Sequence, residues 1–251
     1  MDSSGHGVKD PSIEAQQGYW DQRWERQRSP NDWQKERADA IMALVETLPL
    51  RNPRILDLGC ATGWMTKRLS ELGTAEGLDL SEAAITAARS KYPGIRFTAG
   101  DLYTVPLTDE PVDLVVCQEV IAHVPDQPGL VERVAEVIKP GGYLVITAAN
   151  KLVMERVKDS DRLVKVGPSD PDEHLKNWLG MKEFKNLLRP HFKILTTTSV
   201  IPMGHRGVLR LVNSPKLNKI AGWSVSPERL QRLKARLGLG YSIIVLCEKP
   251  R

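Results

Sequence analysis

The length, composition and charge of the chain are those of an ordinary globular protein. It has 251 residues, 41% hydrophobic and 26% charged, with a formal net charge of +4 at pH 7. This charge alone is too small to indicate nucleic-acid binding. The amino-terminal residues lack the apolar core of a secretory signal, and no apolar run approaches the roughly 20 residues that span a bilayer. Three scattered cysteines (Cys60, Cys117 and Cys247) indicate reduced thiols, so we expect a cytoplasmic protein without disulfides.

The first fifty residues predict a disordered start and then a helical segment. Residues 1–17 are polar, and we expect them to be disordered. Residues 18–50 contain an aromatic cluster and an amphipathic helix from Asp32 to Leu48. The aromatic side chains either attach this helix to the core or close over a ligand. We interpret residues 18–50 as a helical lid, with Tyr19 and Trp24 as candidate substrate contacts.

A buried strand, a tight turn and a helix start are predicted between Arg54 and Thr66, which reads R-I-L-D-L-G-C-A-T-G-W-M-T. Glycine lets a ligand approach the backbone closely, and the N–H groups at a helix start favour an anionic group. The spacing of Gly59, Ala61 and Gly63 is not the G-x-G-x-x-G pattern of NAD or FAD sites, and no G-K-[ST] indicates a P-loop. The turn alone therefore does not identify its ligand.

The following elements alternate as in a doubly wound α/β sheet. Helices are predicted from Ser81, from about Pro128 to Ile138, and over Met181–Leu188, with a turn at residues 139–142. The strands predicted in addition to Ile55–Leu58 are Ala75–Leu80, Ile95–Ala99, Val112–Cys117, Tyr143–Ala148, Phe192–Val200 and Tyr241–Cys247. No buried crossover helix separates the last two strands, which indicates an antiparallel closing hairpin.

The domain organisation follows from these elements. We expect a core over residues 51–150, with residues 151–251 completing the same domain. Within the second part, residues 151–178 and 201–238 are charged or irregular and are interpreted as insertions that cap the substrate. The second insertion is rich in lysine and arginine, which indicates either a solvated helix face or a basic cap that attracts an acidic acceptor.

Two aspartates at the ends of neighbouring strands point to an adenosine ligand. Asp79 ends the second strand about twenty residues after the glycine turn, where a carboxylate can accept both ribose hydroxyls. Asp101 follows the third strand on the same edge of the sheet and can accept from the exocyclic amine of a purine. Because no polyphosphate cradle accompanies them, the adenosine is expected to carry something other than phosphate.

Five segments in this order resemble the successive motifs of class I S-adenosylmethionine-dependent methyltransferases. They cover roughly residues 54–150 and read I-L-D-L-G-C-A-T-G, G-L-D-L-S, A-G-D-L, V-D-L-V-V-C-Q-E-V-I-A-H-V-P-D and I-K-P-G-G-Y-L-V-I-T. The resemblance implies a Rossmann-like seven-stranded sheet, mostly parallel with an antiparallel last strand. It also implies S-adenosylmethionine as the cofactor and direct in-line methyl transfer as the activity.

The resemblance also implies roles for individual residues. The methionine part of the cofactor would lie against the glycine turn, the ribose at Asp79, and the adenine at the end of the third strand. The implied cofactor residues are Asp57 toward the amino group, Gly59, Cys60, Ala61 and Gly63 along the methionine, Asp79 at the ribose, Leu80 beside the adenine, Asp101 and Leu102 at the adenine edge, and Gln118 under the sulfonium. Ala61 departs from the glycine that the family often has, so the turn must accept an L-residue there.

Three histidines are candidates for a general base, because histidine titrates near neutral pH. His123 lies just past the fourth strand, near the expected position of methyl transfer, unless it only bonds the backbone. His174 and His205 lie in the two insertions, where they and Arg206 are candidate substrate contacts. The sequence Q-E-V-I-A-H is also similar to an E-x-x-E-H pattern that binds a divalent metal in ubiquinone O-methyltransferase-like enzymes. Ala122 replaces the second acid, so we expect no metal.

The acceptor remains open at this level. A small molecule methylated on a hydroxyl fits best, and its acidic groups would suit the basic insertion. N- or C-methylation, an RNA or protein substrate, and a cofactor-binding protein without turnover are the alternatives. No RNA-binding motif is visible, so no nucleic-acid partner is expected. The sequence gives no oligomeric state.

Overall fold

The computed structural model describes residues 11–157, 175–200, 235 and 240–251. Residues 1–10 of the predicted disordered start lie outside this part of the chain. So do most of the first predicted insertion and nearly all of the second, with His174, His205 and Arg206.

Seven strands form one sheet in the order β3-β2-β1-β4-β5-β7-β6. All neighbouring pairs are parallel except those of β7, which runs antiparallel to both β5 and β6. The strands are β1 Arg54–Leu58, β2 Thr74–Asp79, β3 Arg96–Ala99, β4 Val112–Gln118, β5 Ile138–Ala149, β6 Lys193–Val200 and β7 Ser242–Glu248. The predicted fold class, including the antiparallel closing hairpin, is confirmed. The strand order reverses between β1 and β4, which is where ligands bind in such sheets.

Helices cover both faces of the sheet. They are α1 Ile13–Arg26, α2 Asp32–Val45, α3 Trp64–Leu69, α4 Glu82–Lys91, α5 Gln127–Val137, α6 Lys151–Val157 and α7 Met181–Leu188, with a short 3-10 helix at Ile121–His123. Along β4, Val115 and Cys117 pack into the core that contains α5 and α7, whereas Leu114 and Val116 pack into the core that contains α2. A strand buried on both faces must be apolar throughout, which explains why β4 was recognisable in the sequence. No helix in the described ranges is long and apolar enough to cross a membrane.

The two amino-terminal helices differ in how they are held. Helix α2 buries Ala38, Ile41 and Val45 in the core, so it is part of the domain's framework. Helix α1 has a single buried residue, Gln16, and packs mainly on α4. The sequence left open whether this segment is attached to the core or covers a ligand. In the structure α2 is attached to the core, and α1 packs outside this core on α4.

Two element boundaries differ from the sequence predictions more than the others do. Helix α1 begins at Ile13, inside the segment expected to be disordered, and the Ser12 hydroxyl caps it by accepting from the Ala15 N–H. Strand β5 begins at Ile138 and so includes the predicted turn at residues 139–142. There Ile138 pairs with Val112, and the Gly141 N–H donates to the Lys249 carbonyl at 2.9 Å. Pairing with neighbouring strands overrides the local turn preference of this stretch.

Candidate functional site

A cavity of about 360 Å³ opens at the carboxyl ends of β1, β2 and β4. Its wall holds every predicted cofactor residue except one: Asp57, Gly59, Cys60, Ala61, Asp79, Leu80, Asp101, Leu102 and Gln118. The exception is Gly63. The structure therefore gathers residues from four separate motifs into one site, as parallel strands that end at one edge require.

The turn after β1 is held by Asp79 at the end of β2. One carboxylate oxygen accepts from the Ala61 N–H at 2.8 Å, and the other accepts from the Ser81 N–H at 2.9 Å. Burial raises the pKa of Asp79, and these backbone donors oppose the rise. Each carboxylate oxygen can accept more than one hydrogen bond, so Asp79 can hold the turn and still accept from a ligand hydroxyl.

Ala61 occupies the left-handed region of backbone conformation, with φ of 48°. This conformation strains an L-residue, while alanine keeps the side chain small enough for a ligand to approach. Ala61 is nearly buried and lines the cavity. The turn therefore accepts the departure from glycine at a cost in conformational strain.

Replacing Ala61 by glycine is expected to raise the free energy of unfolding by up to about 1 kcal/mol, because it relieves this strain. Urea unfolding would measure it. Ala87→Gly is a matched control, since Ala87 lies inside helix α4, where glycine costs about 0.5–1 kcal/mol. The explanation fails if Ala61→Gly destabilises the protein as much as the control does.

Gly63 lies outside the cavity wall but is needed for the turn. Its φ is 75°, and a Cβ placed there would come within 2.6 Å of the Phe97 ring. Gly63 thus lets helix α3 begin while packing tightly against β3. The structure does not bring it to the predicted position along a ligand.

Asp57 carries an acceptor atom without a donor. The side chain is fully buried, and Oδ2 accepts from the Thr66 hydroxyl at 2.7 Å. Oδ1 is buried without a hydrogen-bond partner among the described residues. Burial raises the pKa of Asp57 to about 7, with the Asp79 carboxylate adding to the rise. A cationic group in the cavity would satisfy this oxygen, so the observation fits a ligand with an ammonium group.

The remaining predicted cofactor residues complete this end of the cavity. Asp101 is half-buried, and its Oδ1 accepts from the Tyr103 N–H at 3.1 Å. Leu102 is buried beside it. Cys60 is buried against Phe97 and Ile85, and burial raises the pKa of its thiol. Cys60 therefore acts as a packing residue of the turn.

His123 also lines the cavity, from the short 3-10 helix after β4. Its Nδ1 is 3.0 Å from the Leu175 carbonyl oxygen. Because a carbonyl only accepts, Nδ1 carries a hydrogen, and in the neutral ring the lone pair is on Nε2. Trp20 packs against the ring with centroids 4.9 Å apart. Burial lowers the pKa of His123, so the ring is neutral near pH 7.

Helix α1 covers part of the cavity with aromatic side chains. Trp20 and Trp24 line the wall, and the Arg23 guanidinium lies 5.8 and 5.9 Å from their ring centroids. Trp24 is thus in the position predicted for a substrate contact. Tyr19 is not in the wall; it packs on Trp20, and its hydroxyl accepts from Arg23 at 3.4 Å.

One aspartate of α1 fastens the helix to the core. Oδ1 of Asp21 accepts from the Ser81 hydroxyl at 2.6 Å and from the Ala83 N–H at 3.1 Å. Both donors lie at the start of helix α4, next to Asp79. The cover is therefore attached beside the part of the cavity where the cofactor is predicted.

A polar cluster near His123 was not identified as such from the sequence. Arg37 of α2 and Glu119 line the cavity, with Arg37 Nη1 3.6 Å from Glu119 Oε1. The Glu119 oxygen also accepts from the hydroxyls of Thr147 and Ser242, at 2.8 and 2.5 Å. Glu119 has φ of 60°, a strained conformation of a kind that often marks functional sites. The sequence presented Glu119 only as a possible metal ligand and gave no signal for Arg37.

Fold and site together define a class of protein: an α/β domain whose cavity suits an adenosine that bears a cationic group. The comparisons with known proteins agree with this class. Residues 56–146 match a family model described as a methyltransferase domain. The chain is 32% identical over 110 residues to a ubiquinone biosynthesis O-methyltransferase of Thiobacillus denitrificans, a match that covers 41% of this chain and 47% of that one.

Two solved structures share the fold along nearly the whole chain. The N-methyltransferase NodS of Bradyrhizobium japonicum, solved with S-adenosyl-L-homocysteine, aligns with a TM-score of 0.61 and 16% identity, over 92% of this chain and 99% of that one. The [4+2]-cyclase SpnF aligns with a TM-score of 0.64 and 17% identity, over 98% and 99%. At such identities the likeness concerns the fold alone, and the two named reactions differ.

The resemblance found in the sequence is therefore confirmed: residues 56–146 match a methyltransferase domain, and the relatives that the chain resembles include S-adenosylmethionine-dependent methyltransferases. The matched part spans about half the length of the curated relatives.

Proposed function

We propose that this protein transfers a methyl group from S-adenosylmethionine to a hydroxyl of a small-molecule acceptor. The observation that carries the proposal is one continuous cavity, which joins the Asp57–Asp79–Asp101 edge to His123. The first end has the acceptors that an adenosine and an ammonium group need. The second has a neutral imidazole and an aromatic wall.

At the cofactor end, each carboxylate would hold a different part of the ligand. Asp57 Oδ1 would accept from the ammonium group, Asp79 from the ribose hydroxyls, and Asp101 from the adenine amine. Gly59, Cys60 and Ala61 would line the methionine chain, with Leu80 and Leu102 against the adenine and Gln118 nearest the sulfur. When bound, S-adenosylmethionine supplies an electrophilic methyl group on its sulfonium. The protein then has to align the acceptor and exclude water.

At the acceptor end, His123 would accept the proton that the hydroxyl loses as its oxygen gains the methyl group. The Leu175 carbonyl fixes the tautomer in which Nε2 is the basic atom. Trp20 and Trp24 of α1 would exclude water from the joined ligands. The similar ubiquinone biosynthesis enzyme is an O-methyltransferase, which supports the same atom type here. N-methylation, named for NodS, is the second candidate, favoured by the carboxylate of Glu119 in the wall.

Calorimetric titration with S-adenosylmethionine, S-adenosylhomocysteine and NAD tests the cofactor. We expect both sulfur compounds to bind and NAD not to bind. A screen of hydroxylated metabolites and matched amines with labelled methyl donor then tests the reaction. Label transferred only to amines would replace the hydroxyl proposal, and binding without transfer to any acceptor would indicate a cofactor-binding protein without turnover.

The raised pKa of Asp57 gives the cofactor proposal a pH signature. Ionisation opposes folding here, so the stability that Asp57 contributes is full below its ordinary pKa of 3.8 and is lost as the pH rises through about 7. An ammonium ligand binds the ionised form, so S-adenosylhomocysteine should bind up to about tenfold more tightly at pH 8 than at pH 6. Calorimetry across this range would measure it. Asp57→Asn should bind weakly and lose the dependence; an unchanged slope in that variant contradicts the assignment.

The domain limits and the metal prediction also remain proposals. Residues 151–178 and 201–238 are proposed to cap the acceptor, which places His174, His205 and Arg206 among substrate contacts to be tested. Oε1 of Glu119 already accepts from the hydroxyls of Thr147 and Ser242. We therefore predict that the activity requires no metal ion.

A further inference from the structure

Arg37 is a buried cation whose contacts with Gln118 and Glu119 are both long. Its side chain is 9% exposed and lines the cavity. Nε donates to Gln118 Oε1 at 3.4 Å, and Nη1 is 3.6 Å from Glu119 Oε1, whereas charge-assisted hydrogen bonds are usually about 2.7–2.9 Å. Burial raises the pKa of Tyr241, and its hydrogen bond with Arg37 opposes the rise. Within the part of the chain that the structure describes, this buried guanidinium, which has five donors, therefore has no carboxylate at close hydrogen-bonding distance.

Glu119 does not depend on Arg37 for its hydrogen bonds. Its Oε1 receives the hydroxyls of Thr147 and Ser242, from β5 and β7, at distances shorter than that to Arg37. Arg37 could therefore turn to another anion while the Glu119 carboxylate stays bonded. A planar guanidinium binds a carboxylate through two parallel hydrogen bonds, a geometry that the present contacts do not provide.

An apolar wall lies in the same cavity. Trp33 and Trp178 pack around Ala149 and Met154, and all four line the cavity. The Trp33 carbonyl accepts from the Tyr241 hydroxyl at 2.6 Å, which ties this wall to the residues around Arg37. A flat apolar ligand body would cover these side chains while its charged end reached the guanidinium.

We infer that Arg37 binds a carboxylate of the acceptor, and that the acceptor is a flat, unsaturated or aromatic carboxylic acid. This inference rests on the proposed function, because it assigns the part of the cavity that the cofactor would leave open. Arg37 is thereby a specificity-determining residue that selects acids over their neutral amides. The carboxylate that Arg37 binds is not itself methylated, since the methyl group goes to the hydroxyl of the acceptor.

The test uses benzoate and benzamide as probes of the protein saturated with S-adenosylhomocysteine, with binding followed by ligand-observed NMR. Benzoate should bind at least about tenfold more tightly than benzamide, and Arg37→Gln should remove this preference. Arg37→Lys should bind benzoate with intermediate affinity, because lysine keeps the charge but cannot form the two parallel hydrogen bonds of a guanidinium. Glu119→Gln should keep or strengthen benzoate binding, since it removes a competing carboxylate.

Two controls separate the possible outcomes. Arg68→Gln removes an arginine that is ion-paired with Asp39 at the surface and should change nothing. Arg23→Gln removes the other arginine of the wall, and loss of benzoate binding only in that variant would overturn the inference. Equal affinity for benzoate and benzamide, or no benzoate binding to the wild type, would overturn it as well. The affinity for S-adenosylhomocysteine is measured in every variant. Unchanged affinity shows that the variant is folded and that the cofactor proposal holds, whatever the result with benzoate.

Discussion

Replacing Asp79 by alanine is expected to weaken the binding of S-adenosylmethionine and S-adenosylhomocysteine by about 1.5–3 kcal/mol, or roughly tenfold to a hundredfold. The variant would lose the proposed bonds to the ribose hydroxyls. It would also leave the N–H groups of Ala61 and Ser81 without their acceptor. The turn and the ligand depend on the same carboxylate, so a single substitution removes the hydrogen bonds of both. Calorimetry with S-adenosylhomocysteine measures the loss.

Asp113→Ala is the matched control for this experiment. Asp113 also accepts a backbone N–H, that of Arg54 at 2.8 Å, and it pairs with Lys139 at the opposite edge of the sheet. Its removal should cost stability without changing cofactor affinity. If both variants weaken binding equally, the effect comes from general destabilisation and the ribose assignment of Asp79 is lost.

Replacing His123 by asparagine is expected to lower kcat by about 10²- to 10⁴-fold, the usual contribution of a general base. An asparagine amide can still donate toward the Leu175 carbonyl, so the local structure is kept while the basic atom is lost. Because burial lowers the pKa of His123, wild-type activity should be flat near pH 7 and fall only below the ordinary histidine range. Rates with a screened acceptor across pH would show both effects.

The control for His123 is a histidine outside the cavity. His191 follows helix α7 and does not line the wall, so His191→Asn should retain full activity. A kcat for His123→Asn within a few-fold of the wild type would exclude the histidine as base. A raised KM with unchanged kcat would instead make it a binding residue.

The strands and the cofactor end of the cavity could be predicted because their signals are local. Strand β4 is apolar on both faces, and Asp57, Asp79 and Asp101 each follow or occupy a strand end. Patterns in the amino-acid sequence were therefore sufficient to predict these strands and these residues. Parallel strands bring such ends together without further information. This is why nearly all predicted cofactor residues line one wall.

The acceptor end could not be predicted because it depends on contacts between distant segments. Arg37 meets Glu119 only after α2 has packed on the core, and nothing near Arg37 in the sequence indicates an ion pair. Gly63 was assigned to the ligand from its motif, although its Cβ position faces Phe97. The start of α1 at Ile13 was missed because the segment is polar, and the helix is held by Asp21 and by aromatic packing.

The attachment of α1 has a consequence for turnover. Ser81 donates its N–H to Asp79 and its hydroxyl to Asp21, so one serine touches both the proposed ribose acceptor and the cover. Because Trp20 and Trp24 lie in the wall of the cavity, we propose that α1 moves aside to admit the methyl donor and to release the product. We therefore expect release of S-adenosylhomocysteine, rather than methyl transfer, to be the rate-limiting step. Ser81 would then couple the exit of the product to the opening of the cover.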